Sequence, residues 1–495
     1  MADNKEYQKK IISYLLDYNI FFNPEDLEIL KKLNIQIFYE FIKTHIKELI
    51  QLSSGEIIQR FYEYENQQKF IKENSFNKNL ESVRLINPYQ EESKKRNVQD
   101  FVKLFNDRYN FLSKLILGRP EMSNVISIKR LKDKKEREKV SIIGIIKERR
   151  KTKSGHLMFV LEDKGASVNV LVSKNRQDLF EFANTIMEDE VIGIKGSNAE
   201  NIVFANNILI PDMPVKGAKK SEDESYVLFL GDLHLGSKYF LKESFEKFIG
   251  WVSGKGGSTK QKEIAKKIKY IFIVGDLVAG VGIYPNQENN LVIKDLNKQC
   301  EQFAEYMKQI PQHIKIIIGT GNHDPAHLAE PQPPLYFEFA KSIYELPNVL
   351  MVGNPSLVNI HQSENFEGFK VLMYHGYSFD YFISNIDEIR LNGGYDRADL
   401  VMKYLLQRRH LAPTFGSTPY IPTQKDHLLI KQVPDFFVSG HLHRSHISSY
   451  KNVTLICASC WESITDFQIK LGHDPEPARV PLVNLKTREM KILRF

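Results

Sequence analysis

Apolar residues recur along this chain with different periods, and each period marks a different kind of region. Residues 1–72 carry helical spacing: Ile11, Ile12, Leu15 and Leu16 fall on one face, and Asn23-Pro24-Glu25 has the form of an N-cap followed by proline at the first helical position. A small helical domain suited to protein contact is predicted there. Residues 73–135 turn polar and irregular, with Lys94-Lys95-Arg96 and a basic stretch from Lys129, and read as a linker. Over 136–212 the pattern changes to strands. Runs at Val140–Ile146, His156–Leu161 and Ser167–Val172 precede a helix over Asp178–Met187, and two more runs follow at Glu190–Ile194 and Ile202–Ile210. Five strands with a helix between the third and fourth is the order of an OB-fold β-barrel. Residues 213–224 are a linker by composition, and 225–495 form a domain of another kind, with continuous apolar runs typical of buried α/β strands.

Composition agrees with a multidomain globular chain. The 495 residues are 42% hydrophobic and 26% charged, enough for two to four domains with their own cores. Apolar runs such as Tyr226–Leu230 and Ile314–Ile318 are far too short to span a bilayer, and the opening MADNKEYQKK has no signal-peptide stretch. A soluble, cytoplasmic protein with no membrane partner is expected. Three cysteines, Cys300, Cys457 and Cys460, make no disulfide framework, and Cys457-x-x-Cys460 lacks the second pair of a structural zinc site.

Charge changes the picture only locally. Net charge is +7, but twelve Lys or Arg against four Asp or Glu lie between Lys129 and Lys153, so the rest of the chain sums to about −1. Part of that excess, Arg149, Arg150, Lys151 and Lys153, occupies the expected loop between the first two barrel strands, where OB-folds often meet oligonucleotides. Two uses stay open for it: contact with DNA phosphates, or docking of a protein partner.

The chemistry lies in the last domain. Five apolar runs each lead into side chains that bind metals: Tyr226–Leu230 into Asp232 and His234, Tyr270–Val274 into Asp276, Ile314–Ile318 into Asn322, His323 and Asp324, Phe369–Tyr374 into His375, and Phe436–Val438 into His441 and His443. Ligands in α/β sheets gather where strands end at their carboxyl edge. One such His or Asp could be chance; five coordinated ones are not. Cleaving a phosphodiester needs a nucleophile at neutral pH and compensation of charge on the phosphoryl oxygens, which two metals about 4 Å apart supply. Mixed carboxylate, imidazole and amide donors suit Mn, Fe or Zn better than Mg or Ca. The glycine preceding each motif is expected to provide the sharp turn that aims the side chain.

The order D-x-H, GD, GNHD, HG, GHxH resembles the calcineurin-like metallophosphoesterase superfamily. That resemblance implies two divalent ions, manganese first with iron or zinc as alternatives. Asp232, His234 and His443 would hold one ion, Asn322, His375 and His441 the other, and Asp276 would bridge both. It further implies His323 as leaving-group acid or charge stabiliser, oriented by Asp324. GVGIYPNQE (Gly280–Glu288), GNHDPAHLAEPQPPL (Gly321–Leu335), LAPTFG (Leu411–Gly416) and PDFFVSGHLH (Pro434–His443) narrow the resemblance to the small, exonuclease subunit of archaeal family D DNA polymerase. The implied activity is 3′ to 5′ proofreading of DNA, on single-stranded or mismatched 3′ ends, beside a large catalytic subunit. A structural tethering subunit and a repair nuclease of the same superfamily are the alternatives; the domain order opposes the second. His327 and Tyr377 stand where the family leads one to expect Arg. Gln99–Phe105 (QDFVKLF) resembles a sliding-clamp peptide, which would make the clamp a further partner, and a short amphipathic helix explains the same spacing.

Overall fold

A computed structural model describes residues 11–30, 33, 35–71, 80, 82–91, 94–134, 137–465, 468, 469 and 474–495. The chain divides into two compact units, Met1–Lys78 and Asn79–Phe495.

The first unit is helical, as its apolar spacing predicts. Helices over residues 11–17, Pro24–Leu30, Ile35–Leu49 and Ser54–Ile71 bury Ile11, Leu15, Phe38, Phe41, Leu49, Ile57 and Phe61. The Asn23 side chain accepts from the Asp26 amide at 2.7 Å, the cap that the Asn-Pro pair implies. The first helix departs from expectation. Ile11 and Leu15 are buried, whereas Ile12 and Leu16 are 44% and 48% exposed, because adjacent i, i+4 pairs are about 100° apart around a helix and only one pair faces the core.

In the second unit, β1 (Val83–Ile86) is followed by a 20-residue helix, Val98–Leu117, and then by the barrel strands β2 (Lys139–Lys151), β3 (Leu157–Glu162), β4 (Ser167–Val172), β5 (Val191–Ala199) and β6 (Ile202–Leu209). They close in the order β2-β3-β4-β6-β5, with β4 and β6 parallel and β2 returning to pair with β5. A helix, Gln177–Asn184, lies between β4 and β5 in sequence, so the OB-fold order holds. Inward residues Ile142, Phe159, Leu161, Val170, Ile192, Ile194 and Val203 fill the barrel. β2 is longer than its apolar run, extending through Lys151, because Arg149, Arg150 and Lys151 pair with Phe159, Met158 and Leu157 on β3.

The described residues of the expected linker over 73–135, namely 80, 82–91 and 94–134, are instead part of the fold. β1 pairs antiparallel at the edge of a sheet in the last domain, and Val98–Leu117 is capped by a box between Asn97 and Asp100. Arg108 of this helix is wholly buried, donating from Nε to Asp426 at 2.8 Å and from Nη1 to the Pro413 carbonyl at 2.8 Å. On the other side Ile116 meets the barrel at Gly193, where an added Cβ would lie 2.8 Å from its Cγ2. The polar composition misled because this helix binds its neighbours partly through charge. Phe101 and Phe105 of the clamp-like segment pack against Phe415, with ring centroids 6.1 and 6.3 Å apart. The second linker, 213–224, is also pinned: Met213 is fully buried, and Lys219 pairs with Asp435 and Glu367.

The last domain consists of two six-stranded sheets packed face to face. One holds β7 (Tyr226–Leu230), β8 (Ile268–Ile273), β9 (Lys315–Ile318), β10 (Val349–Met351), β16 (Arg479–Asn484) and β17 (Met490–Arg494), in the order β10-β9-β8-β7-β16-β17. The other holds β11 (Ser356–Ile360), β12 (Phe369–Met373), β13 (Phe436–Ser439), β14 (His446–Tyr450) and β15 (Val453–Cys457), in the order β1-β11-β12-β13-β15-β14. β7, β8 and β9 run parallel, as do β12 and β13. Val227, Phe229, Phe272 and Ile317 of the first sheet share one core with Val358, Val371, Phe436 and Val438 of the second. Helices such as Ala398–Arg408 cover the outer face of the second sheet. Among the described residues no helix is long and apolar enough to cross a membrane.

Candidate metal centre

The seven expected ligands come from both sheets and meet where their parallel strands end. Asp232 and His234 follow β7, Asp276 follows β8 and Asn322 follows β9; His375 follows β12, and His441 and His443 follow β13. Five of them, Asp232, His234, Asp276, His441 and His443, have φ between 50° and 69°. This left-handed region is costly for a residue with a side chain and persists where the surroundings hold it, a pattern typical of functional sites. The expected role of the preceding glycines is thus only part of the account. Gly275 has φ 96°, but Gly440 and Gly321 serve close approach: an added Cβ would lie 2.3 Å from Asp232 Oδ2 and 2.2 Å from Asp276 Oδ1 respectively.

The side chains form two groups around Asp276. In the first, His234 Nε2 lies 3.0 Å from His443 Nε2, which is 3.4 Å from Asp232 Oδ1. In the second, Asn322 Oδ1 lies 2.9 Å from His375 Nε2 and 3.1 Å from His441 Nδ1. Asp276 Oδ2 stands between them, 3.9 Å from His234 Nε2 and 3.4 Å from His375 Nε2. Asp232, His234, Asp276 and His375 are at most 2% exposed. Burial, together with the charges of His323 and His443, holds the His234 imidazole well below its ordinary pKa, so its nitrogen lone pair is available. Burial pushes the Asp276 carboxyl up, but His375 and His323 outweigh it and keep it ionised well below the usual range. Ionised carboxylate and neutral imidazole are the forms a divalent cation requires, and Asp276 and His234 are held in them. Burial lowers His375 and His443 too, but Asp276 outweighs it and raises His375 to about 10, and Cys460 and Asp232 raise His443 well above its ordinary value, so a cation would displace those protons. Groups able to hold a metal ion are Asp232-His234-His443, Asp232-Asp276-His375 and His234-Asp276-His323, each with its ligand atoms within 4.8 Å of one another. The donor set therefore fits two divalent ions.

Several surrounding groups orient these ligands, and none of them was visible in the sequence. His375 Nδ1 donates to the Val274 carbonyl at 2.8 Å, which leaves Nε2 for a metal. His441 Nε2 meets Asp380 Oδ2 at 2.9 Å, and His443 Nδ1 meets the Gln468 amide at 2.8 Å. Asp380 sits on a separate helix, Phe379–Asn385, and Gln468 lies 25 residues after His443, so no short motif could have paired them.

Two expected roles are modified. Asp324 does not touch the His323 imidazole; its carboxylate accepts from the backbone amides of Gly321 and Leu277, both at 2.8 Å, and ties two loops together. His323 is oriented instead by Ala279, whose carbonyl accepts from Nδ1 at 2.8 Å. His323 also stands nearer the metal ligands than a purely outer role implies, its ring 4.6 Å from that of His234. Of the two positions that differ from the family pattern, Tyr377 packs its ring 5.7 Å from His441, and His327 Nε2 lies 3.3 Å from Glu91 Oε1.

The cavity over this centre has a volume of about 250 Å³ and is lined by ligands together with Ile283, Tyr284, Gln287, Asp380, Glu462 and Gln468. None of Arg149, Arg150, Lys151 and Lys153 lines it. Arg149 is half-buried and donates to the Asn184 carbonyl at 3.0 Å, whereas Arg150, Lys151 and Lys153 are exposed. Cys457, the last residue of β15, and Cys460 just after it are buried free thiols.

An OB-fold barrel joined to this double-sheet domain defines a class of accessory polymerase subunits: residues 227–448 match the DNA polymerase alpha/epsilon B-subunit family, and residues 140–198 match the OB-fold nucleic acid binding domain. The DNA polymerase II small subunit of Methanothermobacter thermautotrophicus is 37% identical over 80% of this chain and 80% of its own length. That of Thermoplasma acidophilum is 33% identical over 98% and 92% of the two chains, and that of Pyrococcus abyssi 36% identical over 80% and 63%. The chain belongs to the family of archaeal DNA polymerase II small subunits, those of the family D polymerase.

Proposed function

We propose that this chain is the proofreading nuclease of its polymerase, hydrolysing phosphodiester bonds at single-stranded or mismatched 3′ ends of DNA beside a large catalytic subunit that carries synthesis. The observation that supports this most is the convergence of seven ligands from two sheets on one buried centre with Asp276 between the two groups. Asp232, His234 and His443 would hold one divalent ion and Asn322, His375 and His441 the other, with manganese first and iron or zinc as alternatives. Such ions, when bound, supply a nucleophile at neutral pH and offset phosphoryl charge. The chain's own part is positional and acid–base. With Nδ1 fixed as donor to Ala279, His323 presents Nε2 to the cavity, where it can hydrogen-bond or protonate the leaving oxygen. Asp380 and Gln468 keep the His441 and His443 rings aimed.

Seven side chains of ligand type converging on one centre would have no use in a pure tether. The deciding experiment is digestion of a 3′-mismatched primer with and without manganese, by this chain alone and with its large partner. Manganese-dependent shortening from the 3′ end, lost in chelator, is expected; binding of the large subunit with no hydrolysis under any of these conditions would favour the tethering role.

A further inference from the structure

The cavity contains one buried carboxylate that the metal centre does not use. Glu462 is 7% exposed and lines the same wall as Ser237, whose hydroxyl donates to Glu462 Oε1. Its side chain makes no hydrogen bond to any of the seven ligands, and among the described residues its second oxygen has no protein donor. Its backbone is held rigidly: Phe240 and Glu462 form an antiparallel bridge, the Leu241 amide donates to the Trp461 carbonyl at 2.8 Å, and the Trp461 amide donates to the Asp232 carbonyl at 2.9 Å. The carboxylate is thus placed in register with the first metal-ligand loop.

Burial raises the Glu462 carboxyl above its ordinary value; in its ionised form, a carboxylate in the wall of a pocket that receives a polyanion opposes binding unless it meets a hydrogen-bond donor. DNA offers few. Donors on base edges differ among the four bases, so a site that accepts any base cannot depend on them. Along the sugars of DNA the donors are the hydroxyls at free chain ends, and at the end from which proofreading proceeds that group is the 3′-hydroxyl. The cavity's volume, about 250 Å³, lies below the range of about 300–1,000 Å³ typical of sites for drug-sized ligands, so it suits one terminal sugar-phosphate rather than a strand passing through.

We propose that Glu462, held by Ser237, accepts a hydrogen bond from the 3′-hydroxyl of the terminal nucleotide and so determines specificity for free 3′ ends. This rests on the nuclease reading above. The test uses the full chain and single-stranded oligonucleotides ending in a 3′-hydroxyl or in a 2′,3′-dideoxy nucleotide. Binding by fluorescence anisotropy in chelator and manganese-dependent release of the last nucleotide are both measured, and bis(p-nitrophenyl) phosphate, which has no sugar, reports the basal chemistry. The wild type should prefer the hydroxyl end by about 10-fold or more, the size expected for one hydrogen bond to a charged group. In Glu462→Ala the preference should fall towards one and in Glu462→Gln it should be intermediate; the preference is a ratio of two ends within each variant, and the rate on the sugar-free diester normalises any change in the basal chemistry. Equal use of the two ends by the wild type, or an unchanged preference in Glu462→Ala, overturns the inference while leaving the nuclease intact. Failure of the manganese-loaded wild type to hydrolyse any of these substrates overturns the nuclease reading and this inference with it.

Discussion

The strand-end pocket and the basic hairpin of the barrel make an instructive pair, since both are clusters of chemistry-bearing side chains in sequence. In the pocket, residues as far apart as His234 and His443 meet at 3.0 Å. In the hairpin, four neighbouring cations take different environments: Arg149 turns inward to Asn184, while Arg150, Lys151 and Lys153 face solvent. Backbone geometry explains the difference. A parallel strand delivers the residue after its carboxyl end to a fixed edge, so a motif there has a defined position; alternate residues of a β-hairpin point to opposite faces, so a run of like charges cannot act as one surface.

The largest effect that would break this contrast is at Asp276. Asp276→Ala removes the group between both ligand sets; manganese content by mass spectrometry should fall and nuclease activity should drop at least about 1,000-fold, since metals contribute several kcal/mol to such reactions. Near-normal hydrolysis would remove the case for a shared centre.

His323→Ala sharpens the division of roles inside the pocket. Turnover should fall by about 100-fold to 10,000-fold, the usual contribution of a positioned acid or base, while metal occupancy stays near that of the wild type. Parallel loss of metal and activity would instead make His323 a ligand, as its nearness to His234 and Asp276 permits.

At the barrel's other contact, charge is buried and paired. Glu190 Oε2 lies 3.1 Å from Arg408 Nε, both side chains at most 3% exposed, and Arg408 also donates to Thr185 Oγ1 at 2.9 Å. Glu190→Ala should cost about 3–5 kcal/mol in urea unfolding by leaving Arg408 buried without its carboxylate, with the ligands themselves untouched. A loss below about 1 kcal/mol would show that the barrel does not depend on this pair.

A smaller change is expected at Asp380. Asp380→Asn should weaken metal binding by about 10-fold to 100-fold, the usual loss when a partner of a metal-binding His is altered, and calorimetric titration with manganese would measure it. The smallest effect belongs to the hairpin. Replacing Arg150, Lys151 and Lys153 with Ala should make the salt dependence of single-stranded DNA binding shallower, by about 0.7 in the log–log slope per lost phosphate contact. Arg149→Ala should leave that slope unchanged because its guanidinium is bound to Asn184. An unchanged slope in the triple variant, together with lost binding of the large subunit, would assign the hairpin to assembly.

Much of the architecture was legible in the chain's local patterns. The barrel order followed from the apolar runs over 140–210, and the candidate ligands from apolar runs ending in Asp, Asn or His, because buried strands and their carboxyl ends leave a local signature. Only the start of the helix Val98–Leu117 was legible, as a short amphipathic helix over Gln99–Phe105; the rest was hidden, since its polar surface resembles a linker and the partners of Arg108 lie more than 300 residues away. Ile12 and Leu16 were placed on one face with Ile11 and Leu15 on spacing alone, which cannot tell which of two adjacent helix stripes has a neighbour.

What the sequence determined by itself was therefore the five barrel strands, five apolar runs of the last domain with the candidate ligands that follow them, and the family they resemble, all carried by short-range patterns. Tertiary structure alone decided that the candidate ligands come from two facing sheets, that Ala279 rather than Asp324 holds His323, and that Asp380, Gln468 and Glu462 complete the pocket. The physical reason is that strand formation and ligand type depend on residues within a few positions of one another, whereas a ring's orientation depends on whichever group the packing of two sheets brings within about 3 Å of it.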